Sequence, residues 1–420
     1  MGAEKNLAAI LLIVALGLGI WLRLTNPPVL ARSPDEKIYV RYVTSIAQAP
    51  IEAPKASMQT YNATPGRWVY PIPLRVGYFY LVWAVAEMRH LTPEQAGVAV
   101  STGASIVQLL MVALLGLRFF GRWTAVVAVA LLSVCPADLT MARRVWCDEP
   151  NAAAAMIFLW LCAEIAFRRR GWPWHAALWL CGGYFMLIKE TAGFFFGFCI
   201  AGLMIQSWRQ HRDWRRLAVL AGGAVATAAV SFAVMACLCG GVPAALETVR
   251  HNAIGAAGNV YQIQCMSGPW YSIPLGLWIN SPFTATLCAI AFAALIPRRE
   301  SLGNVLKLDQ RQRTSTWGMA GLIVLVVAGI SVPGNLMDLR YVSFIFGPRY
   351  LMAALGISYL VTRMRNAAGK RVAGLATAAA VIAVIGSCWM DYSSYRKIDV
   401  RQDLNDLDIY HVVTAPLPRG

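Results

Sequence analysis

Eleven apolar runs separated by short polar turns leave this chain few folds to choose from. They lie near residues 7–24, 96–117, 123–136, 151–167, 173–190, 192–207, 216–239, 277–296, 316–333, 350–362 and 372–390. A bilayer core of about 30 Å is crossed by roughly 20 apolar residues in a helix, and only helices and closed barrels satisfy their backbone there. Unbroken apolar runs of this kind read as helices, so the predicted fold is an all-α polytopic membrane protein with about 11 transmembrane helices. Only 14% of the 420 residues are charged, against about 25% in soluble domains. No long polar region divides the runs, so one membrane domain is expected over 1–390 and a short tail over 391–420. The aromatic piece at 76–88 stands apart, because its length suits an interfacial or re-entrant helix better than a span.

Charge sets the direction of threading. One set of alternate loops, at 118–122, 168–170, 209–216, 298–313 and 363–371, carries 18 Arg and Lys, and the opposite set between residues 136 and 349 carries 6. Basic residues concentrate in cytoplasmic loops, which assigns the first set and the N-terminus to the cytoplasm. The net charge of +16 is then a property of membrane loops, and nucleic acid is discounted as a partner. Residues 25–95 become a first outer loop, with 135–151, a tip at Lys189-Glu190, 240–276, 334–349 and the tail on the same side. The first run is followed by Arg23 rather than a small-residue cleavage site and reads as a signal anchor. The first outer loop is rich in Arg and Lys despite its side, an exception that an anionic partner would explain.

The stretch Ser33-Pro34-Asp35-Glu36-Lys37-Ile38-Tyr39 puts two adjacent carboxylates where the first helix leaves the bilayer, among Arg23, Arg32, Lys37 and Arg41. Charge of both signs at a membrane surface is costly unless used. A helix starting near Pro34 would place Asp35, Tyr39 and Tyr42 on one face and point Glu36 elsewhere. Loop pairing with Arg32 or Arg41 is the plainer reading. A second pair, Asp148-Glu149 before Pro150, falls on the same side and either caps a helix, touches substrate or does both. Lys189, Arg340 and Arg349 lie at outer helix ends, where a cation anchors a helix or binds a lipid phosphate. Cys147 and Cys265 are the two cysteines in outer loops and could be bridged. The five histidines are dispersed, and no zinc-helix, P-loop or nucleophile-elbow motif occurs.

In their order and common side, these marks resemble the C-type membrane glycosyltransferases, closest to the protein O-mannosyltransferase and lipid A aminoarabinose transferase branch. The resemblance rests on Asp35-Glu36 with Tyr39, Pro71-Ile72-Pro73-Leu74, Phe120-Gly121-Arg122, Asp148-Glu149-Pro150, Lys189 and Pro348-Arg349-Tyr350. It implies a polyprenyl-phosphate sugar donor, a glycan, lipid or protein acceptor, and inversion at the sugar carbon. It also implies a site at the outer face of a bacterial inner membrane, with Asp35 as base. Asp148 matches the second-loop acid, and Lys189 and Arg349 match positions near the lipid phosphate; Arg340 joins them on chemistry alone. Glu36, Tyr39 and Glu149 are placed as acceptor-binding or supporting groups. The branch resembled generally works without the divalent ion that some C-type relatives use, so no cofactor or metal ligand is assigned.

The chemistry fits these residue types. An acceptor hydroxyl attacking the sugar must lose a proton, which a carboxylate can take. The leaving lipid phosphate gains charge that Arg or Lys would stabilise. The alternative function is a transporter or flippase of a polyprenyl-linked sugar or lipid. That reading calls for charges near mid-bilayer and related halves, whereas the acids here lie at one surface.

Overall fold

A computed structural model describes residues 2–26, 33–64, 72–168, 171–258, 269–297, 300–334 and 339–396. Among these there is no β-strand, and the eleven apolar runs are helical, the one at 277–296 being broken at Ser281 and the one at 123–136 ending past its helix at Ser133. Helix α1 (Gly2–Thr25) is peripheral, with Ile10, Ile13, Val14 and Trp21 all more than half exposed on its outer face. Three short helices follow: α2 (Pro34–Gln48), α3 (Glu52–Ala63) and α4 (Val76–Arg89). The start of α2 is fixed by a reciprocal capping box between Ser33 and Glu36, with Pro34 in the first turn.

Helix α5 (Pro93–Leu115) ends in a π-helical turn, Gly116–Phe120, after which α6 (Arg122–Ser133) returns and α7 (Pro136–Met141) covers its end. Helix α8 (Asp148–Arg168) is central, and its buried Ala152 to Ala155 run lets neighbouring helices approach closely. Around it stand α9 (Trp172–Ile188) and α10 (Ala192–His211), with Phe158 of α8 stacked between Phe185 and Phe196. Next come α11 (Trp214–Leu238), α12 (Val242–Gly258), α13 (Ser272–Asn280), α14 (Pro282–Leu295), α15 (Leu302–Val305) and α16 (Gln310–Gly334). A 3-10 segment, Leu339–Ile345, leads into α17 (Phe346–Tyr395).

Helix α17 doubles back on itself. Arg349 and Asp391 interact electrostatically near its two ends, although a straight helix would hold them about 63 Å apart. Between them, Tyr359 donates to the Glu300 carbonyl at 3.0 Å and Arg363 pairs with Glu300 at the far end of the bundle. The two arms of α17 hold the apolar runs at 350–362 and 372–390.

Seven helical stretches among the described residues are long and apolar enough to cross a membrane: α1, α5 with its π turn, α8, α11, α16 and the two arms of α17. Helices α6 and α14 are apolar but shorter. Helix α4 behaves differently from all of these. Arg75 just before it meets the tip residue Glu190. Just beyond it, Ser101 and Thr102 of α5 bond to the carbonyls of Trp146 and Ala142. Both ends of α4 therefore lie on one side, and its 14 residues, about 21 Å long, fall short of a hydrocarbon core.

Candidate active site

Both acidic pairs converge at the end of the bundle that holds α2, the start of α8, the Lys189-Glu190 tip and the 3-10 segment. The capping box decides how the first pair divides. Glu36 is fully buried, and its carboxylate takes Ser33, the Arg144 guanidinium (2.8 and 3.2 Å) and the Val145 N–H (2.9 Å). It ties the first turn of α2 to the stretch entering α8. Adjacent helical residues point about 100° apart, so Asp35 faces elsewhere. Its side chain is 34% exposed and accepts from Arg340 Nη1 at 3.1 Å.

The partner described for Asp35 is a distant one, Arg340, and not a basic neighbour in the chain. Arg23 lies instead in the interior, against Asp138, and Arg32 lies outside the described residues. Arg41 is six residues along α2 and so about 240° around the helix.

Four further groups complete the cluster. Lys189, carried past the end of α9, pairs with Asp148 at 2.5 Å, with both side chains at least 96% buried. The Lys189 ammonium also lies 4.8 Å from the Tyr341 ring. Burial pulls Lys189 down, but the Asp148 carboxylate outweighs it and holds the ammonium above its ordinary range. Arg75 grips Glu190 with two nitrogens, at 2.9 and 2.5 Å, and donates to the Tyr39 hydroxyl. Burial alone would raise Glu190, yet Arg75 prevails and lowers it to about 2. Tyr39 is pushed well above the usual phenol range by burial. It rests among Tyr78 and Phe79 of α4, 3.8 Å from the Cys147 thiol.

Aromatic rings form the floor between these charges. Arg340 stacks over both Trp146 and Tyr341 at 5.3 Å, and Arg144 over Trp146 at 4.6 Å. Ser343 fixes the same segment by donating to the Asp148 carbonyl at 3.2 Å. The ion pairs differ in strength. The Asp35–Arg340 contact is single and half-open, so it is worth about 0–1 kcal/mol. Removing one partner of the buried Lys189–Asp148 pair would cost roughly 3–5 kcal/mol, because a charge is left uncompensated.

Two proposed residues lie apart from this group. Arg349 is buried in the first turn of α17, donating to the carbonyls of Leu277 (2.8 Å) and Ser281 (3.3 Å). No hydrogen bond or ion pair joins it to Asp35, Asp148 or Lys189 among the described residues. Glu149 is buried beside Asp138 and Arg23, with no hydrogen-bond partner for either oxygen among the described residues. Cys147 carries a free thiol, and Cys265 lies outside the described residues. Among the described residues no three His, Cys, Asp or Glu side chains gather as metal ligands.

Sequence reasoning gave no site role to Arg75, Arg144, Trp146 or Glu190. Arg75 had a usable signal, since it closes the Pro-Ile-Pro-Leu turn just ahead of the aromatic run. Chemically, the cluster can hold an anion on fixed cations and keep a polar group beside a carboxylate open enough to take its proton.

Residues 74–235 match the family model of dolichyl-phosphate-mannose-protein mannosyltransferases. No curated protein sequence is significantly similar to the chain. Among solved structures, apo ArnT from Cupriavidus metallidurans aligns with a TM-score of 0.52 and 14% identity, over 85% of this chain and 60% of that one. The same enzyme bound to undecaprenyl phosphate aligns at 0.51 with 15% identity, over 84% and 60%. The archaeal oligosaccharyltransferase AglB from Archaeoglobus fulgidus, in complex with an inhibitory peptide and a dolichol-phosphate, aligns at 0.59 with 14% identity, over 93% and 56%. The chain thus spans at most 60% of the length of these neighbours, and it has the fold of the C-type membrane glycosyltransferases.

Proposed function

We propose that this chain is an inverting glycosyltransferase that moves a sugar from a polyprenyl-phosphate donor to an acceptor hydroxyl at the outer face of a bacterial inner membrane. The observation that carries the reading is the half-open carboxylate of Asp35 held beside Arg340, with Lys189 and Arg75 close behind. The undecaprenyl phosphate and dolichol-phosphate in the two structural neighbours support a lipid-phosphate donor. The acceptor hydroxyl donates its proton to Asp35 as its oxygen attacks the anomeric carbon. The bond from that carbon to the phosphate oxygen breaks, and the departing charge is met by cations fixed before the reaction begins. One displacement inverts the carbon. No cofactor is assigned, since the lipid-phosphate sugar is a substrate.

Within this reading Asp148 sets the position of Lys189, and Glu36 sets the aim of Asp35. Residues 25–95 supply the outer, reactive side, with the basic loops in the cytoplasm. The test is sugar transfer by the purified full chain from polyprenyl-phosphate donors, wild type against Asp35→Asn. Full activity in the variant would remove Asp35 as base. Transfer from no such donor by wild type would remove the donor class.

A further inference from the structure

We propose that Arg349 and Asp391 wall a buried hydration site, in which bound water rather than a direct ion pair carries the charge contact between the two arms of α17. The inference concerns residues that the transfer reading leaves unused, and it does not depend on that reading. Arg349 and Asp391 are each 2% exposed, and they interact electrostatically. Yet no direct ion pair joins them among the described residues. Arg349 commits Nη2 to the carbonyls of Leu277 and Ser281 at the α13–α14 junction, while its Nη1 has no hydrogen-bond partner among the described residues. The Asp391 Oδ2 atom has none there either. Further polar groups gather at the same junction. Ser281 stands beside Asp391. One turn along each helix, the buried hydroxyls of Thr284 and Ser387 also lack partners among the described residues. Cys288 continues the Ser281–Thr284 face of α14 and lies near Arg349, as does Cys135.

These groups define the occupant. A buried donor or acceptor left unpaired costs more than immobilising a water that pairs it. An anion at this junction would meet the Asp391 carboxylate, and a cation would meet the Arg349 guanidinium. A neutral molecule that both donates and accepts suits the two together, and a buried water makes about three such bonds. Apolar cavities stay dry; a junction lined by charge and hydroxyls does not. Water between the charges also lets each ion keep part of its hydration, which lowers the cost of burying the pair. Arg349 lies one turn beyond the 3-10 segment that carries Arg340 and Tyr341, so the hydrated joint ties that segment to the returning arm of α17.

Radiolytic footprinting of the full chain in lipid nanodiscs tests the proposal, because hydroxyl radicals made from bound water oxidise thiols that bulk water does not reach. Cys288 and Cys135 are the reporters. Cys162 and Cys199, packed near each other in the apolar core, are the controls, and all four thiols belong to residues no more than 7% exposed. Bound water predicts that both reporters oxidise several-fold faster than the controls in wild type. It also predicts that the excess disappears in the Arg349→Met, Asp391→Leu double variant, which exchanges both charges for apolar side chains. Where that variant fails to fold, Thr284→Val replaces it, and the excess should shrink. Equal rates for reporters and controls in wild type would overturn the proposal. A reporter excess that persists undiminished in the folded variant would mean access from bulk solvent and would overturn it as well.

Discussion

Asp35–Arg340 and Arg23–Asp138 are both acid–guanidinium pairs at the same end of the bundle, yet their surroundings are opposite. Asp138 receives Arg23, Ser105 (2.6 Å) and Gln108 (2.9 Å), and Arg23 also donates to Ser105 and to the carbonyls of Gly19, Leu132 and Ser133. Neither side chain of that pair is exposed. Among the described residues Asp35 has one hydrogen bond, from Arg340, and its side chain is 34% exposed. A pair this fully satisfied locks α1, α5 and the α6–α7 turn together, while the partly exposed carboxylate of Asp35 is open to another partner. Saturation marks structure, and an incomplete shell marks chemistry.

Breaking each pair in turn separates the two roles. The largest effect is expected from Asp35→Asn, which should lower turnover by about 10²–10⁴ while shifting stability by no more than about 1 kcal/mol. A combined transfer assay and unfolding measurement checks both halves; a large stability loss would erase the distinction. Arg23→Met should do the reverse, costing about 3–5 kcal/mol by stranding the Asp138 charge. Adding Asp138→Leu to it should recover much of that loss.

Glu36→Gln sits between the extremes. It weakens charge-assisted bonds to Arg144 and Val145, worth about 1.5–3 kcal/mol, and turnover should fall with it because the aim of Asp35 loosens. Unchanged turnover in a destabilised Glu36→Gln protein would confine Glu36 to structure. The smallest effect concerns the Arg75–Glu190 fork. Glu190 is depressed to about 2 in the fold, so its contribution is complete above about pH 4.5 and fades as pH falls toward 2. Thermal unfolding of wild type and Glu190→Gln should differ most at pH 6 and converge only as the pH falls to about 2.

Much of this contrast could be read from residue order, and some could not. Apolar run length gave the helices, and the 76–88 piece was set apart by its length alone. A helix opening at Pro34 put Asp35 and Tyr39 on one face, and the basic-loop count put Asp148 on the same side of the membrane. The choice of partners was hidden. Arg340 is 305 residues from Asp35 and Arg144 is 108 from Glu36, while helix geometry turned the nearby Arg41 away. Arg349 lies among outer-end signals in sequence, but the first turn of α17 faces it into the α13–α14 junction. Asp138 offered a fair hint, being a lone acid at the end of an apolar run in a chain with few acids.

Helix α6 has a consequence for how the protein is made. Its Ser133 bonds to the Ala15 carbonyl of α1, and its Ala130 carbonyl receives Cys388 from the returning arm of α17. Beyond its end, Val134 and Leu139 close with Leu22 and Tyr395 into one apolar knot. The earliest and latest of these helices to leave the ribosome therefore clasp the same middle one. Every residue of the proposed site is synthesised before the clasp shuts, so a nascent chain halted short of Gly374 holds the whole catalytic set with α6 still uncovered on one flank.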